Sequence, residues 1–214
     1  VPQLRVRGTV ARTAAAPQLL NGCVFDDKVG IRRRQDGGYT LAHGSVLDHC
    51  ITPSTIRNAI KFLPALRQEF KVLRLSVGRE TWEELCAPRR WALDKPSPFE
   101  GTRVLNPAPN QRVLKDLQTN LAETFPALAD VPLIESWAGM VETTPDVLPV
   151  MCESAEIPGF HIATGFSGHG FGIGPGAGQT IAAMLTGTAT DIETDNYRLS
   201  RFYDGSPIEP MRSV

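Results

Sequence analysis

Polar and apolar residues alternate from Leu4 to Thr13, with Leu4, Val6 and Val10 on one face and Arg5, Arg7 and Thr9 on the other. A period of two marks a half-buried β-strand. Two more extended runs, Val24 to Arg34 and Tyr39 to Ala42, flank the turn signal Asp36-Gly37-Gly38. Together the three predict a mainly antiparallel sheet. Lys71 to Val77 adds a strand through Val72, Leu73, Leu75 and Val77. Thr52 is expected to cap a helix with Pro53 at its first position, where the missing N–H costs nothing, and Pro64 to end or kink it. A second helix starts after Asn110. Its inward face is Val113, Leu114, Leu117, Leu121 and Phe125, spaced by three or four, and Pro126 stops it. Between the helices, Ala87 to Asn110 holds Trp91 and Pro88, Pro96, Pro98, Pro107 and Pro109, which predicts a long loop.

The last third changes character. Ile134 to Val141 and Leu148 to Cys152 read as strands around Thr144-Pro145-Asp146, and Phe160 to Thr164 as a short apolar strand. Glycine then fills nearly every second position from Gly165 to Gly178, before a small-residue helix from Gln179 to Thr186 that stops at Gly187. Glycines let backbone approach a ligand closely, and a helix N-terminus presents free N–H groups and the positive end of a dipole. The combination suits an anion or a partly negative heteroatom. The spacing fits neither G-x-x-x-x-G-K-[ST] nor G-x-G-x-x-G. The same glycines also suit a turn that only lets helix and sheet pack tightly, and His169 alone reads as a hydrogen-bonded structural histidine.

Composition narrows the classes. The 214 residues carry 22 Lys+Arg against 23 Asp+Glu, a net charge of -1, which argues against nucleic acid or an acidic membrane surface as main partner. No apolar run approaches the ~18 residues that span a bilayer, and no secretory signal opens the chain. The four cysteines, Cys23, Cys50, Cys86 and Cys152, form no C-x-x-C pair, so no zinc ribbon, redox pair or other metal site is expected. Their scatter favours buried, reduced thiols in a cytoplasmic protein.

The run from Ala163 to Gly178, Ala-Thr-Gly-Phe-Ser-Gly-His-Gly-Phe-Gly-Ile-Gly-Pro-Gly-Ala-Gly, closely resembles the C-terminal flavin segment of the D-amino-acid oxidase family. This is the group of FAD-dependent oxidoreductases that includes glycine oxidase, sarcosine oxidase and D-amino-acid dehydrogenases. Phe125-Pro126-Ala127-Leu128, Trp137-Ala138-Gly139-Met140 and Thr144 to Val150 agree in order, and Pro2 to Gly8 resembles the strand opening the second half of the family's substrate domain. The resemblance implies an α+β fold: a mainly antiparallel mixed sheet with flanking helices, plus a strand–glycine loop–helix return segment. Residues 1–133 would belong to the substrate-binding domain and 134–214 to the FAD-binding domain. By resemblance Ser167, Gly168, His169, Gly170 and Phe171 would line FAD, mostly through backbone. The reaction implied is oxidation of a C–N bond to an imine by hydride transfer to flavin N5, followed by hydrolysis, with a small amino acid or amine as substrate. It names no catalytic base.

Two departures stand out. Relatives carry an arginine two residues after the Gly of Trp-x-Gly, where it clamps the substrate carboxylate. Here Met140 is followed by Val141, so these two are the substrate-binding candidates, and either another arginine anchors the substrate or the substrate lacks an α-carboxylate. Arg33, Arg103 and Arg201 are the candidate anchors, though each reads more simply as a surface salt-bridge residue. Tyr39 and His43 could reach the substrate cavity from the sheet but read more simply as ordinary surface residues. The second departure is the absence of the family's N-terminal G-x-G-x-x-G. The chain is therefore expected to be part of a longer or split enzyme whose partner is the missing N-terminal FAD-binding region and to bind FAD weakly or not at all by itself, with a homo-oligomer left open. A non-catalytic subunit or a binding remnant without flavin chemistry is the alternative. The electron acceptor, oxygen or a membrane quinone, stays open, and with it any membrane association.

Overall fold

The computed structural model describes residues 1–44, 46–70 and 73–211. β1 (Leu4–Thr13) runs through the middle of a seven-stranded sheet. One of its edges pairs over its whole length with β7 (Leu133–Thr143), from Leu4 opposite Thr143 to Thr13 opposite Leu133. The other edge is divided. Val10 to Arg12 pair with β4 (Tyr39–His43), and Val6 and Arg7 pair with β5 (Leu47–Cys50). β2 (Cys23–Phe25) and β3 (Val29–Arg33) extend the sheet beyond β4 as an antiparallel hairpin, and β6 (Leu73–Ser76) closes the far end parallel to β5. The expected run Val24 to Arg34 is broken because Asp26 Oδ1 accepts the N–H groups of Lys28 and Val29 at 2.8 and 2.7 Å, a side-chain-built turn. Lys71 and Val72 of the expected strand lie outside the described residues.

The face of the sheet that carries Ala11 holds the main core. α4 (Gln111–Thr124) lies over it with Val113, Leu114, Leu117 and Leu121 buried, and Asn110 caps it by accepting the Arg112 N–H at 2.9 Å. Ala11, Val29, Ile31, Tyr39, Leu41, Leu114, Leu117, Leu121 and Leu128 form one cluster, with Phe125 packed beside it.

On the opposite face lies α1 (Pro53–Glu69), which continues through Pro64 instead of ending there. Proline removes one ladder bond, and ties elsewhere along the helix outweigh that loss. Phe62 is buried, Lys61 Nζ donates to the Phe202 carbonyl at 2.8 Å, and Thr52 and Thr55 form a capping box. A further tie comes from α2 (Arg79–Cys86), a helix the sequence did not announce, whose Glu84 accepts the Ser54 N–H at 2.7 Å. Burial pushes the Glu84 carboxyl up, but hydrogen bonds from Ser54 and Thr52 outweigh it and hold it below the ordinary 4.5. A carboxyl whose pKa is lower folded than unfolded contributes stability above its unfolded value and loses it as pH falls through the folded one. Glu84→Gln is therefore expected to lower stability at neutral pH by about 1 kcal/mol and to shrink the loss as pH falls from 4.5 through the depressed folded value. Urea melts of both proteins across that range check it, and equal acid losses would remove Glu84 from the account.

The stretch after α2 is irregular apart from the single turn α3 (Pro98–Gly101). The four thiols are free as expected, but only Cys50 and Cys152 are partly covered; Cys23 and Cys86 are exposed, because their segments edge the sheet and end α2. β7 belongs to the large sheet, so the chain leaves that sheet after Thr143. Beyond it β8 (Val150–Glu153) and β9 (His161–Thr164) make a small antiparallel sheet, and α5 (Gly170–Thr186) packs on it through Ala177, Thr180 and Ala183. Among the described residues no helix is long and apolar enough to cross a membrane.

Candidate functional site

α5 begins at Gly170 and not at Gln179, so most of the glycines sit in the helix and only Gly165 to His169 form the loop. Glycine in a helix interior costs about 0.5–1 kcal/mol relative to alanine. The helix forms regardless, because one side packs on β8 and β9 and Gly187, at φ 67°, caps the end through its N–H to the Ala183 carbonyl. A Cβ added at Gly172, Gly174, Gly176 or Gly178 would meet nothing, and the Phe171 ring is fully exposed. A helix this apolar is ordinarily covered on all sides.

The loop is fastened to the end of β7. Glu142 Oε1 accepts the Phe166 N–H at 2.9 Å, Ser167 Oγ accepts the Thr144 N–H at 3.2 Å and donates to the Gly165 carbonyl at 3.1 Å, and Gln3 Nε2 donates to Thr164 Oγ1 at 2.9 Å. These ties hold Ser167 at φ 50°, left-handed backbone that non-glycine residues rarely adopt. Among the described residues the other non-glycine residue at positive φ is Val147, at 65°, in the turn after Thr144. Left-handed backbone in non-glycine residues concentrates where the surroundings fix a functional geometry. At the mouth of α5 the His169 N–H bonds the Phe166 carbonyl, whereas the N–H groups of Gly170 and Phe171 find no acceptor among the described residues.

Ser167, His169 and Val147 border a cavity of about 390 Å³ that opens beside this helix end. Leu4, Val6, Gly8 and Val141 form its sheet wall, and Ala59, Phe62 and Leu66 of α1 face them. Of the substrate-binding candidates, Val141 lines this cavity. Met140 does not, because neighbours on a strand point to opposite faces: Val141 sits opposite Val6 and Met140 opposite Arg7. Of the loop residues, Ser167 and His169 line it. The site an added Gly168 Cβ would occupy lies 3.4 Å from Val141 Cγ1, while Gly170 and Phe171 lie at the open helix end.

The arginine candidates divide. Arg201 is buried, with Nε 2.7 Å from Asp146 Oδ2, Nη2 3.1 Å from Asp146 Oδ1 and 2.9 Å from the Leu148 carbonyl, and Nη1 2.9 Å from the Arg198 carbonyl. It is neither a surface residue nor a free anchor; it braces the turn that holds Val147. Arg33 lies over the Tyr39 ring and donates to the Ala16 carbonyl, and Arg103 is exposed in the proline-rich stretch. Tyr39 is fully buried in the core under α4, its hydroxyl donating to the Pro17 carbonyl at 2.8 Å, so it is not a surface residue. His43 shares that face, away from the cavity, and burial pulls its pKa down.

His49, which the sequence pattern did not single out, lines the cavity and is buried: Nδ1–H donates to the Arg5 carbonyl at 2.7 Å and Nε2 accepts from Thr55 at 2.9 Å. Only its pairing opposite Val6 reveals its place. Among the described residues no cluster could hold a metal ion.

Comparison with known proteins identifies the family. The family profile described as FAD dependent oxidoreductase, DAO, matches residues 1–184. The chain belongs to that family. It is 31% identical over 202 residues to an uncharacterized oxidoreductase, YurR, of Bacillus subtilis, covering 88% of this chain and 53% of the relative. To sarcosine oxidase subunit beta of an Arthrobacter species it is 29% identical over 97 residues, covering 45% of this chain and 24% of the relative. The structure of L-amino acid deaminase from Proteus myxofaciens in complex with anthranilate superposes with a TM-score of 0.86 at 28% identity, over 94% of this chain and 45% of that one. The chain thus spans about half, or less, of the proteins it matches.

The residues present fit a flavin's edge. Two unpaired N–H groups stand at the positive end of α5, and the glycines beside them leave space that a Cβ at other residues would fill.

Proposed function

We propose that this chain supplies the substrate-facing sheet and the flavin-facing helix end of an enzyme that oxidises the C–N bond of an amino acid or amine to an imine, which water then hydrolyses. The observation that carries the reading is the junction of the α5 N-terminus with the apolar cavity, through Ser167, His169 and Val141. A bound FAD would supply the hydride acceptor. The N–H groups of Gly170 and Phe171, with the helix dipole, would hold its isoalloxazine edge and stabilise negative charge developing there. Ser167 and Thr144 hold the loop at its angle, and the apolar walls exclude water from the reacting carbon. No acidic or basic side chain of the cavity is assigned to the hydride step.

Residues up to Thr143 form the substrate-facing part, and those after it return to the FAD-binding part. The exposed side of α5, with Phe171, Ile173 and Leu185, is the surface on which the rest of that FAD-binding part docks. Co-expression of this chain with the remainder of the enzyme tests the reading. The expected product is a yellow protein absorbing near ~450 nm that bleaches under nitrogen when an amino acid or amine is added and yields the corresponding oxo compound. A colourless assembly would instead support a non-catalytic subunit or binding remnant.

A further inference from the structure

We propose that the substrate carries a bulky, uncharged apolar side chain, that this side chain occupies the cavity between β1 and α1, and that Gly8 sets how large it can be. The proposal rests on the reading above and adds the substrate class.

The first observation is the chemistry of the walls. Leu4, Val6, Ile51, Ala59, Phe62, Leu66, Leu73 and Val141 supply carbon. The polar groups of His49 and Thr55 are bonded to each other and to the Arg5 carbonyl, so they offer an incoming side chain little. Two charged residues border the space. The Arg7 guanidinium reaches Asp48 and the Ala108 carbonyl on the far face of the sheet, which leaves only Glu69, half-exposed at the end of α1. A carboxylate entering between β1 and α1 would be buried without a partner, and an ammonium would find only the half-exposed Glu69, which costs more than a cavity of this kind returns. An apolar group gains by entering, and a volume of about 390 Å³ lies within the range of small-molecule pockets.

The second observation is independent of the first. Gly8 lies opposite Gly139 in the pairing of β1 with β7, on the face that carries Val6 and Val141. Glycine weakens a strand interior, and it marks places where a ligand comes close to backbone. A Cβ added at either position would meet no atom within 4 Å, so close packing of the chain itself does not demand these glycines. They leave a bare strip of sheet beyond the Val6–Val141 pair. Gly8 borders the cavity itself and controls its width.

The test uses the flavin-loaded assembly of this chain with the remainder of its enzyme. Turnover is measured for alanine, 2-aminobutyrate, leucine, phenylalanine, aspartate and lysine, each as both enantiomers. In the preferred enantiomer, kcat/KM is expected to rise at least about tenfold from alanine to leucine or phenylalanine, the scale that a few methylenes command in an apolar pocket. Aspartate and lysine stay at background. Gly8→Val is expected to fold, because its side chain projects into open space, and to lower the leucine-to-alanine ratio of kcat/KM at least about tenfold. Calorimetry with unreactive acids gives a second readout: 4-methylvalerate should bind more tightly than propionate, and Gly8→Val should erase the difference.

Preference for small or charged side chains, or an unchanged ratio in Gly8→Val, overturns the proposal while leaving the oxidoreductase reading intact. An assembly that takes up no flavin, or takes it up and oxidises none of these compounds, overturns both.

Discussion

Arg201→Ala is expected to lower stability by about 3–5 kcal/mol, the scale of stranding one partner of a buried ion pair. Arg201 and Asp146 are 7% and 8% exposed and share two hydrogen bonds, so the substitution leaves a carboxylate buried without its cation. The Leu148 and Arg198 carbonyls lose donors at the same time. Arg201→Lys rescues little, because an ammonium cannot reproduce the planar fork. Denaturant melts read the effect. A substrate-anchoring arginine behaves differently, raising KM while the melting curve stays in place, and that result would return Arg201 to the substrate site.

Gly165→Ala is expected to cost about 3 kcal/mol, from two sources. Gly165 sits at φ 75°, and an L-residue held there costs about 1–2 kcal/mol. Its Cβ would also stand 2.5 Å from Thr144 Cγ2. Thr144 is fully buried and donates to the Leu148 carbonyl at 2.8 Å, so it gives way only by breaking that bond or shifting the turn. Thr144→Ser keeps the hydroxyl and removes the clashing methyl. The double variant should therefore recover about 1 kcal/mol over the sum of the single effects, a coupling within reach of a double-mutant cycle. Strict additivity would mean that backbone strain alone governs the position.

Elements that bury one face were legible from the sequence. β1 shows its alternation, and α4 shows Val113, Leu114, Leu117 and Leu121 at helical spacing, because one side of each meets the core. β5 was not legible, since Asp48 and His49 are polar and become buried only through hydrogen bonds that distant residues supply. The start of α5 was hidden by Gly170, Gly172, Gly174, Pro175 and Gly176, whose local preference opposes a helix that packing against β8 and β9 enforces. The site was half legible. The glycine loop identified the family, whereas the cavity wall comes from four strands and a helix whose adjacency no local pattern records. Met140 and Val141 show how the two levels interact: being consecutive on a strand, their side chains leave opposite faces of the sheet, and Val141 is the one on the cavity side.

The long edge that β1 offers to β7 also shapes how this chain is made. Leu4 meets Thr143 and Thr13 meets Leu133, so β1 finds its full-length neighbour only after every element between them has been made. Contacts this distant in sequence slow folding, because loop closure must precede the stabilisation they bring. Until then a strand with one apolar face stands with one edge bare, open to association with other copies during synthesis. Yield of soluble protein should therefore respond to translation rate and chaperone supply more than to the native stability of the finished sheet.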